Sequence, residues 1–305
     1  MSTNTPRNIV ASVRERLRTL ARQHREDFNF TLMRYANERF LYRVSQSAYR
    51  QDFVLKGAML LPLWGADIAR PTRDIDLLGF GNPAAEQLGR VFSDIAALPV
   101  EPDGMVYHAD HLTLEPIQGT QDYGGVRVRI PANLGNMRLP VQLDIAFGDA
   151  ITPAPQEAAY PTLLSLPAPV LRMYPLETVV AEKFEAMVRF ALANSRLKDY
   201  YDLWSLARTQ AVEGASLVEA IGNTFVRRGT PVPVTVPTGL SPGFYDDAAK
   251  QRQWNAFLKR VAPVEPPTEL RLAVELLTAF LMPPAIAAVT QNEPPGRWRH
   301  PQGWQ

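Results

Sequence analysis

An Asp-x-Asp pair set among apolar residues constrains this chain most, because Asp74 and Asp76 alternate with Ile75 and Leu77. In an extended strand successive side chains point to opposite faces, so both aspartates share one face while the apolar residues pack the other. Two adjacent carboxylates repel each other unless a cation lies between them, and Mg²⁺ prefers oxygen ligands. The segment predicts a half-buried strand with a divalent-metal site. A turn or a helix cap is the alternative interpretation.

Basic residues and a glycine turn accompany this pair. Arg70 and Arg73 directly precede it, and arginines suit the phosphates that usually accompany such an ion. Upstream, an apolar segment ends in Lys56 and Gly57, which predicts a short strand, a turn and then a buried helix.

Composition excludes several classes of function. The 305-residue chain has no cysteine, which rules out disulfides, cysteine-ligated zinc and thiol catalysis. Its net charge of +1 gives no global field, so any nucleic-acid binding has to come from a local basic patch. We find no apolar stretch near the ~20 residues needed to span a bilayer and no secretory signal. We therefore expect a cytoplasmic protein without a membrane partner.

Hydrophobic periodicity predicts a mixed α/β half followed by a helical half. The predicted strands begin near residue 53 and then cover 74–78, 105–114, 125–130 and 139–147. The predicted helices cover 8–24, 28–45, 84–97, 176–192, 197–208, 216–227, 246–261 and 268–281. No strand is predicted after Pro169, and the tail beyond Pro283 is expected to be extended or disordered. The predicted parts are N-terminal helices (1–50), an α/β core (51–165), a helical C-terminal lobe (166–282) and a Pro-rich tail (283–305).

Further charged residues stand out within apolar strands and helices. Asp144 lies on a strand that alternates cleanly, and a neighbouring strand could place it opposite Asp74 and Asp76, although a solvated face is an equal alternative. Lys183 falls within the apolar stripe of its helix, where a buried ammonium needs an anionic partner or ligand; the alternative is snorkelling. Asp199 and the nearby Asp202 repeat this anomaly, so the inward-facing charges fit a phosphate-and-metal site.

The ordered set of motifs over roughly residues 50–210 resembles the AbiEii/AbiGii nucleotidyltransferase toxin family, which includes the MenT-type toxins. The segments that carry the resemblance, in order, are Phe53-Val54-Leu55-Lys56-Gly57-Ala58, Arg70-Pro71-Thr72-Arg73-Asp74-Ile75-Asp76-Leu77-Leu78, Gln142-Leu143-Asp144-Ile145, Tyr174-Pro175-Leu176-Glu177-Thr178-Val179-Val180-Ala181-Glu182-Lys183 and Asn194-Ser195-Arg196-Leu197-Lys198-Asp199-Tyr200-Tyr201-Asp202-Leu203. One departure is Ala58, which stands where the family usually has a serine that touches a nucleotide phosphate.

The resemblance implies an α+β fold, with a polymerase-β-like nucleotidyltransferase core and a helical C-terminal lobe. It also implies the toxin of a toxin–antitoxin pair, with a role in phage defence. Such toxins use a nucleoside triphosphate with Mg²⁺ or Mn²⁺, and relatives add nucleotides to tRNA acceptor ends, which blocks translation. The implied partner is a cognate antitoxin, either an AbiEi-like DNA-binding protein or a kinase-like protein that phosphorylates a hydroxyl such as that of Thr72.

The resemblance also suggests residue roles. Asp74, Asp76 and Asp144 would hold metal ions, and Asp144 would help to deprotonate the attacking hydroxyl. Lys183 would contact the triphosphate, with Asp199 orienting it and Asp202 in support. The remaining phosphate contacts would come from Lys56, Arg70, Arg73 and the backbone of Gly57 and Ala58.

An RNA acceptor needs a basic surface, which we expect from Arg39, Arg43, Arg50, Arg196, Lys198, Arg227 and Arg228. Two other functions remain open from the sequence. One is a phosphotransferase that acts on a protein hydroxyl, and the other is a nucleotide-binding protein without turnover.

Overall fold

A computed structural model of the chain describes residues 8–65, 72–82, 84–117, 124–261, 269–290 and 292–305. The chain divides into two compact units. Unit 1 comprises residues 1–59, 72–148 and 157–173, and unit 2 comprises residues 60–71, 149–156 and 174–305. This division is discontinuous in sequence, and it groups the N-terminal helices with the sheet.

Unit 1 contains a mixed sheet with three flanking α-helices among its described residues. The helices are α1 (Ile9–His24), α2 (Phe28–Gln46) and α3 (Ala85–Ala97). The strands are β1 (Phe53–Lys56), β2 (Asp74–Gly79), β3 (Met105–Tyr107), β4 (Thr113–Ile117), β5 (Gly125–Ile130), β6 (Ala132–Leu134), β7 (Met137–Arg138), β8 (Val141–Phe147), β9 (Gln156–Ala159) and β10 (Val170–Met173). Short 3₁₀ helices follow β1 at Gly57–Trp64 and β3 at Ala109–His111.

Seven of the strands within the described residues form one sheet in the order β4-β5-β8-β2-β1-β10-β9. Strand β2 runs parallel to β8 and antiparallel to β1, while β5 pairs with β8 antiparallel. On the inner face Ile75, Leu77, Leu143 and Ile145 are almost fully buried. Alternation therefore leaves the polar residues of β2 and β8 together on the opposite face.

The helices of unit 1 bury large aromatic residues against this core. Phe40 of α2 lies 6.4 Å from Phe92 of α3 and 5.2 Å from Tyr107 of β3, measured between ring centroids. All three residues are buried, as is Phe53 at the start of β1. Aromatic side chains bury large areas, so this cluster anchors both helices to the sheet.

Unit 2 is mainly helical. Its α-helices are α4 (Leu176–Phe190), α5 (Leu197–Thr209), α6 (Gly214–Arg227), α7 (Pro242–Tyr245), α8 (Ala248–Val261) and α9 (Leu270–Thr290). Further 3₁₀ turns lie at Ala191–Ala193 and Thr238–Leu240. The short strands β11 (Val212–Glu213), β12 (Arg297–Arg299) and β13 (Gly303–Trp304) form a three-stranded sheet among the described residues.

The tryptophans are concentrated in unit 2. All five in the sequence, Trp64, Trp204, Trp254, Trp298 and Trp304, belong to this unit. Trp254 and Trp298 are buried, and the indole of Trp298 donates a hydrogen bond to the carbonyl oxygen of Ala207 at 2.7 Å. Trp298 and Trp304 both pack on Phe280 of α9. The aromatic core of this unit thus joins α5, α9 and the C-terminal strands.

The structure contradicts the predicted extended or disordered tail. Helix α9 continues through Pro283 and Pro284 to Thr290, and residues 297–304 contribute two strands. A proline removes the N–H that would bond to the carbonyl four residues earlier, which for Pro284 is that of Phe280. The Trp304 indole donates to this Phe280 oxygen at 3.1 Å, so a residue distant in sequence replaces the lost helical bond.

Two other sequence predictions need correction. Strand β10 and the short strands β11, β12 and β13 follow Pro169, after which no strand was predicted. The predicted strand 105–114 is divided into β3, a 3₁₀ turn and β4. Helix α9 is also long and apolar enough to cross a membrane, the one such helix among the described residues, and half of its most apolar window is buried inside the protein. A buried core helix has the same composition. The predicted α+β fold class and the main helices and strands are confirmed.

Candidate active site

The polar face of the large sheet carries charged residues at one level across five strands. Register pairs place Glu115 of β4 beside Arg127 of β5, and Arg127 beside Asp144 of β8. Asp144 is paired with Asp76 of β2, and Asp76 with Lys56 of β1. In this row the adjacent carboxylates of Asp144 and Asp76 therefore lie between two cationic residues, Arg127 and Lys56, and Glu115 lies beyond Arg127.

A second level of the same face lies two residues away. Asp74 of β2 is in register with Gln142 of β8, and Gln142 with Arg129 of β5. The Arg129 Nε donates to the Gln142 Oε1 at 3.2 Å. The prediction that Asp144 lies on a strand next to the one with Asp74 and Asp76 is confirmed, because β2 and β8 pair directly.

Arg127 is a residue of this face that the sequence analysis missed. Its Nε and Nη2 donate to the Oδ1 and Oδ2 of Asp144, each at 2.7 Å, which is a bidentate ion pair. This hydrogen bonding raises the pKa of Arg127 above its usual range, and the charges of Asp144, Asp74 and Glu115 act in the same direction. Arg127 alternates with Val126 and Val128, and that alternation is the sequence signal that would have placed Arg127 on the polar face of the sheet.

Gly57 gives the Asp76 carboxylate its space. The residue has φ +73°, a conformation that favours glycine, and a Cβ built there would overlap the Oδ2 of Asp76. Ala58, which follows, is buried in the first turn of the 3₁₀ helix after β1. The Gly57-Ala58 backbone therefore passes directly beside the candidate metal-binding carboxylate.

The donor chemistry of Asp74 and Asp76 fits a hard divalent cation, because both supply carboxylate oxygens from one strand face. Because Gly57 has no side chain, its backbone lies against the Asp76 carboxylate without a clash. Across the ranges that the structure describes, however, there is no group of three acidic, histidine or cysteine side chains placed to hold a metal ion. The predicted third ligand, Asp144, is instead bonded to Arg127.

Unit 2 brings Lys183, Asp199 and Asp202 together. The Lys183 Nζ donates to the Asp199 Oδ1 at 2.6 Å and to the Asp202 Oδ2 at 2.9 Å. Both aspartate side chains are almost fully buried, whereas that of Lys183 keeps 12% of its surface exposed. Lys183 therefore does not merely snorkel, since its ammonium neutralises two buried carboxylates.

The ionisation of Asp199 is controlled by these neighbours. Burial alone would raise the pKa of Asp199, but the charges of Lys183 and Arg196, helped by the Lys183 hydrogen bond, lower it below its usual range. Arg196 places its Nε 2.9 Å from the second oxygen, Oδ2. Asp199 is therefore held as a carboxylate at neutral pH.

The predicted RNA-binding role is wrong for three arginines, because their side chains are largely buried in ion pairs. Arg39 and Arg43 both bond to the buried Asp103, at 3.2 Å and 2.7 Å. Arg228 lies 3.0 Å from Glu182 and 3.0 Å from Glu185, with only 13% of its side chain exposed. These guanidinium groups balance internal carboxylates and do not form an RNA-binding surface.

Exposed positive charge remains elsewhere. Arg50 of unit 1 is half exposed and pairs with Glu157, and Arg227 of unit 2 is partly exposed. Arg196 and Lys198 are exposed at the start of α5, where they line a surface groove of about 360 Å³. The groove, which we call the α5–α8 groove, is lined by Ser195, Arg196, Leu197, Lys198, Gln253, Ala256, Phe257 and Arg260.

The segment before Asp74 is described only in part. Arg70, a predicted phosphate contact, lies outside the described residues. Arg73 is exposed, and its carbonyl accepts a hydrogen bond from Asn37 at 3.0 Å. The hydroxyl of Thr72 donates to the Asp74 carbonyl at 3.4 Å, so this threonine supports the start of β2.

The sequence, compared with protein families, defines a nucleotidyltransferase. The model of the AbiEii family, described as a nucleotidyl transferase AbiEii toxin of a type IV toxin–antitoxin system, matches residues 39–289. This match spans most of the chain, and the protein therefore belongs to the AbiEii family of toxins. Membership implies a cognate antitoxin.

Two solved structures from Helicobacter pylori are similar to the chain. JHP933 shares 16% sequence identity with a TM-score of 0.44, and the alignment covers 85% of this chain and 93% of that protein. A candidate nucleotidyltransferase from the same organism shares 17% identity with a TM-score of 0.43, covering 85% and 96%. No curated protein matches the sequence.

Replacing Gly57 by alanine should destabilise unit 1 and reduce function. The new Cβ would meet both an unfavourable backbone conformation and the Asp76 carboxylate, so we expect a loss of about 2–5 kcal/mol in unfolding free energy. Denaturant unfolding measures this. Gly65→Ala is the control, because Gly65 has φ +58° but nothing within 4 Å of an added Cβ. Equal losses in the two variants would contradict the close approach.

Replacing Lys183 by methionine should lower the unfolding free energy by about 3–5 kcal/mol at pH 7, because it removes the cation that two buried carboxylates share and leaves Asp199 with the half-exposed Arg196. Asp199 has a lowered pKa in the folded protein, so its stabilisation is present above the unfolded value of about 4 and is lost as pH falls through the folded value. The difference from wild type should therefore shrink on acidification, as denaturant titrations at several pH values can show.

Lys250→Met provides the matched control for this measurement. Lys250 is also buried in unit 2, but its Nζ donates to the neutral carbonyl of Asn194 at 2.7 Å. The loss of unfolding free energy in Lys250→Met should not depend on pH over the range in which that of Lys183→Met does. A Lys183→Met cost that is equally independent of pH would contradict the charge pairing.

Proposed function

We propose that this toxin is a Mg²⁺-dependent nucleotidyltransferase that moves a nucleoside monophosphate from a triphosphate to an RNA acceptor, the tRNA 3′ end, and thereby blocks translation. Mn²⁺ would be able to replace Mg²⁺. The observation that carries the proposal is the polar sheet face, on which Asp74 and Asp76 share one side of β2 and Asp76 lies beside the backbone of Gly57. Family membership supplies the class of reaction.

Asp74 and Asp76 are the residues that would hold the divalent ion. When bound, the ion supplies positive charge at the phosphates of the nucleotide. Lys56 is in register with Asp76, and Arg73 is exposed just before Asp74, so both cations belong to unit 1 and would orient phosphate oxygens there. The backbone N–H groups that follow Gly57 would replace the hydroxyl that Ala58 lacks.

Lys183 is our candidate for contacting the triphosphate and stabilising the leaving pyrophosphate. Its two aspartate partners fix the ammonium in position, which suits a preorganised donor: Asp199 orients Lys183 directly, and Asp202 supports the pair. The Lys183 side chain is also not fully buried, since 12% of its surface stays exposed.

The proposed RNA acceptor rests on the family and on surface charge, and the proposed antitoxin rests on the family. Arg196, Lys198 and Arg260 give the α5–α8 groove a positive lining that suits RNA phosphates. We place the reaction in the cytoplasm, where tRNA and nucleotides are found. The antitoxin is either an AbiEi-like DNA-binding protein or a kinase-like protein, and Thr72 is the candidate acceptor of phosphate in the second case.

Isotope position tests the reaction. Incubating the protein and total tRNA with nucleoside triphosphates labelled at the α or the γ phosphate should transfer only the α label to RNA. Asp74→Asn should lower the transfer roughly 100-fold or more, the scale expected on losing one charge-stabilising group, and chelation of divalent ions should abolish it.

Asp110→Asn is the control, because Asp110 is an exposed carboxylate of the same unit. Sequencing RNA 3′ ends after induced expression identifies the acceptor and the nucleotide. Transfer of the γ label to a protein hydroxyl would overturn the proposal in favour of a phosphotransferase. Full activity of Asp74→Asn would overturn the metal assignment.

The RNA surface is tested by charge reversal in the α5–α8 groove. Changing Lys198 and Arg260 to glutamate should weaken RNA transfer about tenfold or more at low salt and make the transfer less sensitive to salt, because phosphate contacts release counterions. The measurement is the initial rate of labelled transfer as a function of NaCl concentration.

The matched control is Arg252→Glu with Lys259→Glu. Both residues are exposed on the same helix, α8, and neither lines the groove. If the control pair reduces transfer as strongly as the groove pair, the effect comes from total charge and the groove is not the RNA surface.

A further inference from the structure

The third carboxylate of the sheet face is held by an arginine. Asp144 receives two hydrogen bonds of 2.7 Å from Arg127, one on each oxygen, and the Gln142 Nε2 adds a longer contact of 3.5 Å to the Oδ1. Bidentate arginine–carboxylate pairs are geometrically rigid and are stronger than single hydrogen bonds. Asp144 therefore has its charge neutralised without a metal ion.

The strand register makes this pairing a property of the sheet. Arg127 and Asp144 are direct partners across β5 and β8, and Asp144 and Asp76 are direct partners across β8 and β2. The side chains of Arg127 and Asp144 are 32% and 20% exposed, so solvent screens the pair less than it screens a fully exposed one. A divalent ion that used Asp144 as a ligand would come close to the fixed guanidinium.

We propose that Arg127 is a positioning residue that occupies Asp144 and keeps it out of metal coordination, so that this sheet face binds a single divalent ion through Asp74 and Asp76. The inference rests on the proposed function for the identity of the site. It assigns the positive charge next to Asp144 to Arg127, whereas the family resemblance suggested that Asp144 would hold a metal ion. The absence of a three-ligand group among the described residues agrees with this assignment.

Counting bound Mn²⁺ by equilibrium dialysis, with electron paramagnetic resonance of the free ion, tests the inference without any turnover. We expect one Mn²⁺ per wild-type protein and one in Asp144→Asn, with a higher Kd in the variant because the Arg127 charge is no longer neutralised. Asp74→Asn should lose the ion. Arg127→Gln should release Asp144 and either add a second ion or tighten binding about tenfold, and Arg127→Lys, which keeps a cation there, should stay at one ion.

Arg129→Gln is the matched control. Arg129 lies on the same strand and the same face, but it pairs with Glu115 and Gln142. Its substitution should leave both the number of ions and the Kd unchanged. Thermal unfolding of each variant in the absence of Mn²⁺ confirms that the protein is folded, and Asp144→Asn tests the assignment by itself if Arg127→Gln does not fold.

Three results would overturn the inference. They are two ions or none on the wild-type protein, loss of the ion in Asp144→Asn as in Asp74→Asn, and unchanged binding in folded Arg127→Gln. Failure of the proposed function is distinguishable from these outcomes. A protein that binds one Mn²⁺ through Asp74 but transfers no nucleotide would contradict the function and leave the role of Arg127 intact.

Discussion

The direct pairing of strands β2 and β8 sets the main constraint on this protein, because it puts the carboxylates of Asp76 and Asp144 in neighbouring positions. Such a pair is unfavourable unless positive charge is supplied close by. The sheet supplies it with Arg127 on one side and Lys56 on the other, both in register with the acidic residues. The glycine turn gives the Asp76 carboxylate its place, because a side chain at Gly57 would overlap it.

Unit 2 meets a similar requirement in a more buried setting. Lys183 neutralises Asp199 and Asp202, and Arg228 lies among carboxylates that include Glu185. Removing one partner from such a group leaves an uncompensated charge, which costs far more than the intact group contributes. Several charged residues of this toxin are therefore internal and paired, and they do not contribute to its basic surfaces.

The sequence predicted the regular elements well, because alternation in β2 and β8 and helical periodicity in α4 and α5 are local signals. A position of Asp144 near Asp76 was one of two equal interpretations of its strand, and the helical pattern set Lys183 apart from an ordinary surface lysine. The partners were not predictable, since a charge pattern does not show whether Arg43 faces RNA or the buried Asp103. The continuation of α9 was missed for the same reason, as the donor that replaces the proline N–H lies twenty residues away in Trp304.

The distribution of tryptophan separates the optical properties of the two units. Every indole belongs to unit 2, and those of Trp298 and Trp304 lie against Phe280. Tryptophan fluorescence, excited selectively over that of tyrosine, is therefore a spectroscopic label for unit 2 alone, whereas far-ultraviolet circular dichroism records the secondary structure of both units. Comparing the two signals during denaturation reveals whether the units melt as one cooperative body or in succession.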